Sequence, residues 1–473
     1  MLEHADRGDL VEAPVELLER LQFDRHAVFE PLGGDPLAGE VVLGLAQGHA
    51  MAGNAIMLGG MDQQGAPAAT DVEKALALLE AQLAADHGKS ITASRWLNKS
   101  GEFKRFLVKP RYAFKQYGQN GTWVSELFPH VGSVIDEVCV LNAMHCDSDG
   151  HDKATLAAHT GSAQFARPSA GSWLSYGLGT VNQNLPSFMV LAPAAPYAGA
   201  QTWGSDFLPA CHQGTHVIPG KEPLPNAKPQ TFDVSQQKME LAFRERLNQT
   251  HLRQRAADPM LDARIRSFET AFGMQREAPE AFDLSGETEA TLNLYGIQRN
   301  ATQGFGWQCL VARRLAERGV RFLELIDVGS SNNWDSHGNM GDHARLAKAI
   351  DQPIAGLLTD LKQRGMLDRT LVVWTTEFGR TPFHQTADHA GREHHKHCFS
   401  SWMAGDGEKG GIVYGQSDEY GIRAAEDKVH THDFNATMLH LLGIDHKRLT
   451  YRHAGRDFRL TDVHGRVVNE IVS

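Results

Sequence analysis

The sequence predicts an α/β protein built as a three-layer α/β/α sandwich around a mainly parallel sheet. Strand and helix patterns alternate from Trp307 to the end of the chain, as they do in a doubly wound sheet. Leu-Val-Val-Trp at residues 371–374, followed by two threonines, indicates a buried strand of such a sheet. The chain has 473 residues, of which 41% are hydrophobic and 22% charged, so it can bury a large core.

The amino-terminal part of the chain has the weakest pattern. Residues 40–45 resemble a strand, but Gly- and Ala-rich sequence follows them. From residue 71 to residue 83, apolar residues recur at helical spacing, and Asp71 can cap this helix. We therefore expect an irregular amino-terminal region over residues 1–70 and one domain over residues 71–473.

The middle of the domain contains further strand and helix patterns. Residues 133–141 indicate a strand, a polar loop follows, and a helix is predicted to begin near His151. Residues 185–192 include another short apolar run. The sequence around 193–300 is rich in loops and then in charged helical patterns, and we interpret it as an insertion into the domain.

Two predicted strands lead to residues that are suited to metal binding. The strand over residues 321–326 runs into a loop that carries a carboxylate and an imidazole. The strand over residues 371–376 ends at an acidic residue, and a polar stretch with paired histidines follows. Open α/β sheets place their chemistry at the carboxyl ends of strands, and we expect these two strands to be neighbours. The predicted metal ligands are Asp335, His337, Glu377, His394 and His395.

This combination of side chains points to a divalent cation. A lone histidine is more often a solvated surface residue, but several histidines and carboxylates at strand ends favour a binding site. Carboxylate and imidazole groups are ligands that zinc and similar ions prefer. We therefore expect a divalent metal ion as cofactor, with zinc as its expected identity.

The composition limits the classes of partner. The net charge is −11 and no run of basic residues forms a stripe, so nucleic acid is not an expected partner. No segment has the length of an apolar transmembrane span. The five cysteines have no paired spacing and indicate neither a disulfide framework nor a thiolate zinc site. The first residues, as written, lack the pattern of a signal peptide, and the oligomeric state is left open.

Three motifs follow in order in the carboxyl-terminal part of the chain. They are Thr-Thr-Glu-Phe-Gly at 375–379, Gly-Arg-Glu-His-His at 391–395, and a helix pattern that starts at Asp433 and ends in Gly-Ile at 443–444. Together with the preceding carboxylate and imidazole loop, they resemble the alkaline phosphatase and sulfatase superfamily. More closely, the chain resembles a sulfatase-like bacterial family of unknown function whose members usually carry a twin-arginine export signal.

The resemblance implies an alkaline-phosphatase-like fold over residues 71–473, export to the periplasm, and a small anionic substrate, either a sulfated or a phosphorylated ester. It also implies a nucleophile at the start of a helix that ends in Thr160-Gly161. His151 occupies that place, where the superfamily has a serine, a threonine or a cysteine that becomes formylglycine. His151 is therefore a ligand, a general base or an unusual nucleophile.

Other positions depart from the superfamily pattern. Its Asp-His-Gly motif becomes Glu377-Phe378-Gly379, which keeps a carboxylate and removes an imidazole. The family's opening Asp-x-Phe-Asp motif is missing, and Asp62 is the nearest remnant. We therefore expect at most one well-formed metal site.

Two functional hypotheses follow from these residues. The first is a metal-dependent hydrolase of phosphate or sulfate esters, in which His151 takes part in catalysis and Arg380 or Arg392 neutralises the anionic group. The second is a degenerate, non-catalytic binding protein of the same fold that keeps at most one metal site. Retention of the carboxylate and histidine ligands favours the first hypothesis. Loss of the opening carboxylate and of a conventional nucleophile favours the second.

Overall fold

A computed structural model of the protein describes residues 41–46, 82–92, 104–225, 234–254, 259–330 and 333–473. These residues belong to one unit of the chain, Leu37–Ser473. The helices are α1 Pro129–Ser133, α2 His151–Thr160, α3 Ala170–Leu178, α4 Val234–Gln254, α5 Pro259–Phe282, α6 Glu289–Leu294, α7 Phe305–Glu317, α8 His343–Gln363 and α9 Thr431–Leu441. The strands are β1 Val41–Ala46, β2 Ser90–Thr92, β3 Lys104–Leu107, β4 Phe114–Tyr117, β5 Thr122–Ser125, β6 Val138–His145, β7 Phe188–Leu191, β8 Thr215–Val217, β9 Phe322–Leu325, β10 Thr370–Thr375, β11 Gly379–Arg380, β12 Phe383–His384, β13 His394–His395, β14 Phe399–Ala404, β15 Ile412–Tyr414, β16 Gln416–Ser417, β17 Ala424–Glu426, β18 Val429–His430, β19 Tyr451–His453 and β20 Arg456–Phe458.

The largest sheet has the strand order β15-β6-β14-β10-β1-β9-β7-β8, with β18 beside β6. β14 runs antiparallel to both of its neighbours, β10 and β6. The other strand pairs of this sheet are parallel. The prediction of a mainly parallel sheet is therefore confirmed.

Helices cover both faces of this sheet. Along β10, Val372 and Trp374 pack into one hydrophobic core with residues of α7 and α8, whereas Leu371 and Val373 pack into a second core with residues of α2, α3 and α9. Alternate side chains of a strand point to opposite faces, so the two cores lie on opposite sides of the sheet. This arrangement is the three-layer α/β/α sandwich that the sequence predicts.

The strand β1 lies at the centre of the sheet, between β10 and β9. It pairs parallel to β10 over its whole length, with Val41 opposite Thr370. The strands that precede Asp335 and Glu377 are therefore second neighbours. The prediction that they are adjacent is wrong, because residues 41–46 insert a strand between them.

Other strand boundaries differ from the expectations by a few residues. The strand predicted over residues 133–141 is observed as β6, which begins at Val138 after the short helix α1. The apolar run at 185–192 contains β7, as expected. Turns and short helices at strand ends shift these boundaries without changing the order of the elements.

Several predictions for the start of the chain fall outside the described residues. Apart from β1, residues 1–70 are not among them, and neither is most of the helix predicted over residues 71–83. The irregular amino-terminal region and the insertion around 193–300, which contains α4 and α5, remain predictions. In the described part of the chain, no helix combines the length and the apolar composition needed to cross a membrane.

Gly161 ends the helix α2, and it is the glycine of the Thr-Gly pair noted in the sequence. Its backbone has φ 68° and ψ 16°, the left-handed conformation that favours glycine. A Cβ atom at this position would lie 1.9 Å from the carbonyl oxygen of Leu460. The glycine therefore lets the carboxyl-terminal segment approach the end of the helix that begins at His151.

We predict that Gly161→Ala lowers the free energy of unfolding by about 3 kcal/mol or more, because the added methyl group meets backbone atoms. The control is Gly443→Ala, since Gly443 also follows a helix with a positive φ of 74°, but a Cβ atom there meets nothing within 4 Å. Only the left-handed penalty of about 1 to 2 kcal/mol is expected for the control. Urea unfolding measures both variants, and equal losses would contradict the role of the Leu460 contact.

Candidate active site

Six of the eight predicted site residues come together at the carboxyl end of the main sheet. Glu377 follows β10, and Asp335 lies in the long loop after β9. His394 is on β13, which pairs antiparallel to β11 with His394 opposite Arg380. His151 is the first residue of α2. Two strand ends, a helix terminus and a short β-ribbon therefore supply the site.

Three ligand-type atoms converge at the centre of this group. Asp335 Oδ1 lies 3.1 Å from His337 Nε2 and 3.2 Å from His394 Nε2, and the two Nε2 atoms are 3.0 Å apart. The side chains are 16% exposed for Asp335, 43% for His337 and 21% for His394. A cleft of about 400 Å³ opens beside Asp335 and His337, so a small molecule can reach the group.

The outer nitrogen of each of these two histidines is already engaged. His337 Nδ1 lies 3.1 Å from Glu393 Oε2, and His394 Nδ1 lies 2.6 Å from the carbonyl oxygen of Asp149. A carboxylate and a carbonyl only accept hydrogen bonds, so both Nδ1 atoms donate, and in the neutral rings both Nε2 atoms carry a lone pair. Two lone pairs and a carboxylate oxygen therefore face one another, which is favourable when a cation lies between them.

His151 bridges two carboxylates. Its Nδ1 lies 2.8 Å from Glu377 Oε1, and its Nε2 lies 3.1 Å from Asp335 Oδ2. Burial of the ring opposes its protonation, but the hydrogen bonds and charges of the two carboxylates outweigh burial and raise the pKa of His151. The ring also stacks on Tyr197, with 4.1 Å between the centroids. The arrangement favours an imidazolium held in one orientation.

Arg380 supplies a further positive charge to Asp335. The Arg380 side chain is buried, and its NH2 forms an ion pair with Asp335 Oδ1 while its NH1 donates to the carbonyl oxygen of Arg392 at 3.2 Å. Burial alone raises the pKa of Asp335, but the hydrogen bond from His151 and the charge and hydrogen bond of Arg380 hold it well below its usual range. The Asp335 carboxylate is therefore ionised at neutral pH.

Two of the predicted site residues are not brought into this group. His395 is buried, its Nε2 lies 2.7 Å from the carbonyl oxygen of Ile422, and burial lowers the pKa of His395 to about 4. It follows His394 in β13, and successive residues of a strand point to opposite sides. Arg392 is also buried, and its guanidinium donates to three backbone carbonyl oxygens.

Some residues of the site are absent from the sequence-based predictions. Glu393 lies inside the Gly-Arg-Glu-His-His motif, next to two histidines. Its place in the sequence could therefore have indicated that its carboxylate contacts a histidine of the site. Asp149 and Tyr197 come from distant segments, and no local pattern marks them. Their contacts with His394 and His151 depend on the packing of loops that lie far apart in the chain.

A buried ion pair lies beneath the site. Glu324 sits in the apolar strand β9 at 1% exposure, and its Oε1 lies 3.0 Å from His159 Nε2. These two residues and Glu377 line a mostly apolar cavity of about 60 Å³. The carboxylate of Glu377 therefore shares this cavity with the buried pair.

A second group of ligand-type side chains contains Asp147, His430 and His432, whose ligand atoms lie within 4.8 Å of one another. His430 Nδ1 accepts a hydrogen bond from the backbone N–H of His432 at 3.1 Å and caps α9. In the neutral ring the proton of His430 is then on Nε2, so this nitrogen does not offer a free lone pair. The expectation of at most one well-formed metal site remains a prediction.

The family of the chain follows from its match to a family model. Residues 56–472 match the model described as "Protein of unknown function (DUF1501)", and the chain belongs to that family. This match confirms membership of a family of unknown function, which the motifs indicate. No curated protein matches the chain.

The chain is also similar to solved structures of a sulfatase and a phosphatase. For Ps i-CgsB the identity is 10% and the TM-score 0.35, with 86% of this chain and 72% of that chain covered. For the PsFucS1 sulfatase from Pseudoalteromonas sp. the identity is 12% and the TM-score 0.31, with 67% of this chain and 62% of that chain covered. For the alkaline phosphatase from the Antarctic bacterium TAB5 the identity is 10% and the TM-score 0.28, with 80% of this chain and 94% of that chain covered. The chain thus spans less than two thirds of the PsFucS1 sulfatase, and similarities of this size do not define an activity.

We predict that Glu377→Gln weakens the pH dependence of stability near neutrality. The carboxylates raise the pKa of His151 in the folded state, so the stability they contribute is fully present below the ordinary histidine pKa of 6.5 and is lost as the pH rises through the raised value. Lowering the pH from about 8.5 to about 6 should therefore stabilise the wild type more than the variant.

Denaturant unfolding at the two pH values tests this prediction, together with an NMR titration of the His151 ring. Glu419→Gln serves as a control, because Glu419 is an exposed glutamate outside the site. The prediction is wrong if the wild type and Glu377→Gln gain the same stability on acidification.

Proposed function

We propose that the protein is a metal-dependent hydrolase of phosphate or sulfate esters, and that Asp335, His337 and His394 hold its divalent metal ion. The observation that carries the proposal is the convergence of two imidazole Nε2 atoms and one carboxylate oxygen at mutual distances of 3.0, 3.1 and 3.2 Å. Glu377 and His151 border this group, as the motif order leads one to expect for an ester hydrolase.

The donor set and its spacing fit a small divalent cation. With tetrahedral ligand bonds of about 2.0 to 2.1 Å, neighbouring ligand atoms lie about 3.3 Å apart, close to the observed separations. Two imidazoles and one carboxylate suit zinc and leave a position for water or substrate. The Nδ1 contacts to Glu393 and to the Asp149 carbonyl are of the kind that orient metal-binding histidines. The ion, when bound, would polarise an ester oxygen and lower the pKa of a bound water.

We assign His151 the role of proton donor. Both of its ring nitrogens face carboxylate oxygens, which raise the pKa of His151, so the ring is suited to holding a proton on each nitrogen. The ring can give its Nε2 proton to the leaving oxygen of an ester bound beside Asp335, while Glu377 keeps the Nδ1 proton in place. The neutral ring then recovers a proton from solvent.

Arg380 bears on both functional hypotheses. Its buried guanidinium adds a positive charge at the site, which would help to stabilise an anionic ester. The same guanidinium already neutralises Asp335, as expected for a non-catalytic protein that needs no metal. Measurement of metal content and of turnover separates the two hypotheses.

We predict that His394→Ala removes one equivalent of zinc from the protein and weakens zinc binding by about 100-fold or more, because the imidazole supplies a direct ligand. Mass spectrometry of metal content and a competition titration with a chromophoric chelator provide the measurement. Only one equivalent should be lost even if the group around Asp147 binds metal as well.

The control for this experiment is His395→Gln, the adjacent position on the same strand. His395 lies outside the group, and a glutamine amide can still donate to the Ile422 carbonyl. The control should keep the wild-type zinc content. Wild-type stoichiometry and affinity in His394→Ala would refute the ligand assignment, and a metal-free, inactive wild type would favour the non-catalytic alternative.

We predict that His151→Gln lowers kcat for an aryl phosphate or aryl sulfate by about 100-fold or more and leaves the zinc content unchanged, because a proton donor contributes to the chemical step. The assay uses 4-nitrophenyl phosphate and 4-nitrophenyl sulfate with zinc-loaded enzyme. Loss of zinc in this variant would instead make His151 a ligand. Unchanged turnover would remove it from the catalytic group.

A further inference from the structure

A second cleft, of about 500 Å³, lies beside the candidate active site. We call it the basic cleft, because its lining includes His87, Lys109, Arg111, His389 and Arg392, against a single acidic residue, Asp388. The chain as a whole has a net charge of −11, whereas the lining of this cleft has more basic than acidic side chains. A local excess of positive charge in a cleft attracts anions.

Arg392 forms part of the wall of the basic cleft and is 3% exposed. Its NH1 donates to the carbonyl oxygen of Thr381 at 2.8 Å, and its NH2 donates to those of Val108 at 3.2 Å and Lys109 at 2.9 Å. Among the described residues, no carboxylate lies within ion-pair distance of this guanidinium. A buried charge without a counter-charge is unfavourable, and an anion in the cleft would supply the missing charge.

Lys109 and Arg111 lie at the rim of the cleft, and both are exposed. Neither forms an ion pair with another residue that the structure describes. Two hydrogen bonds fix the backbone of the segment that carries them. Arg392 donates to the Lys109 carbonyl, and Tyr112 Oη donates to the Met340 carbonyl at 2.8 Å. The rim therefore presents two unpaired cations on an anchored backbone.

A chain of contacts connects the basic cleft to the proposed metal ligands. The His389 ring stacks on that of His384, with 3.6 Å between the centroids. His384 Nε2 lies 3.4 Å from Glu393 Oε1, and Glu393 Oε2 lies 3.1 Å from His337 Nδ1. Only two side chains therefore separate His389 in the cleft from the ligand His337.

We infer that the basic cleft binds a second anionic group of the same substrate whose ester is cleaved beside Asp335. This inference rests on the proposed function and specifies its substrate class, which is an ester that carries at least one further sulfate, phosphate or carboxylate. Multiply sulfated or phosphorylated sugars have this chemistry. Lys109 and Arg111 contact the second group, and Arg392 contributes charge from beneath.

Binding of sucrose octasulfate, a persulfated disaccharide, to the full chain tests the cleft without any need for turnover. We expect calorimetry to show salt-sensitive binding by the wild type. The double variant Lys109→Ala/Arg111→Ala should bind at least about tenfold more weakly, since it loses two charged contacts. The control Lys221→Ala/Lys447→Ala removes the same charge from exposed positions outside the cleft and should bind within about twofold of the wild type.

The metal-ligand variant His337→Ala/His394→Ala separates this inference from the proposed function. It should bind sucrose octasulfate nearly as tightly as the wild type, because the basic cleft does not need the metal. Cleft-dependent binding without hydrolysis of any aryl ester would support the anion site and overturn the proposed function. Absence of binding by the wild type, or equal binding by the cleft variant and its control, would overturn the inference.

Kinetics give a second measurement if the enzyme turns over. Lys109→Ala/Arg111→Ala should raise KM for an aryl ester that carries a second anionic group, such as a carboxylated aryl phosphate, with little change in kcat. For the parent aryl phosphate, neither constant should change more than about twofold. Equal effects on both esters would indicate a general structural defect and would overturn the assignment of a second-group subsite.

Discussion

The carboxylate of Asp335 is the group on which the arrangement of the site depends. Its Oδ2 meets His151, and its Oδ1 meets His337, His394 and Arg380. These partners come from α2, from the loop after β9, and from β13 and β11, so one side chain connects four segments. Loss of its charge would leave the buried Arg380 guanidinium without its carboxylate partner and the His151 ring with Glu377 alone, which costs more than the loss of an exposed contact.

The charges around Asp335 determine what the site can accept. The imidazolium form of His151 and the guanidinium of Arg380 offset the carboxylates of Asp335 and Glu377, and Glu393 beside His337 leaves the group with about one negative charge. A divalent cation would make it positive, which suits an anionic ester. The Arg380 ion pair also connects the loop that carries Asp335 to β11.

Four consecutive residues connect the site to the basic cleft by pointing in different directions. Arg392 turns toward the cleft, Glu393 links His384 to His337, and His394 meets Asp335, while His395 packs inward against a backbone carbonyl. The antiparallel pairing of β13 with β11 holds these directions. A short β-ribbon thus contributes side chains both to the candidate active site and to the adjoining basic cleft.

The sequence by itself determined the three-layer architecture and the candidacy of Asp335, His337 and His394, because strand and helix periodicity is local and parallel strands bring their carboxyl ends to one edge of a sheet. Only the tertiary structure decided that β1 lies between the two site strands, that His395 is turned away, and that Arg392 belongs to a neighbouring cleft. Those outcomes depend on strand pairing and on side-chain direction between segments far apart in the chain. The type of a residue limits which ligands its side chain can bind. The orientation of that side chain depends on the segments against which its strand or loop packs.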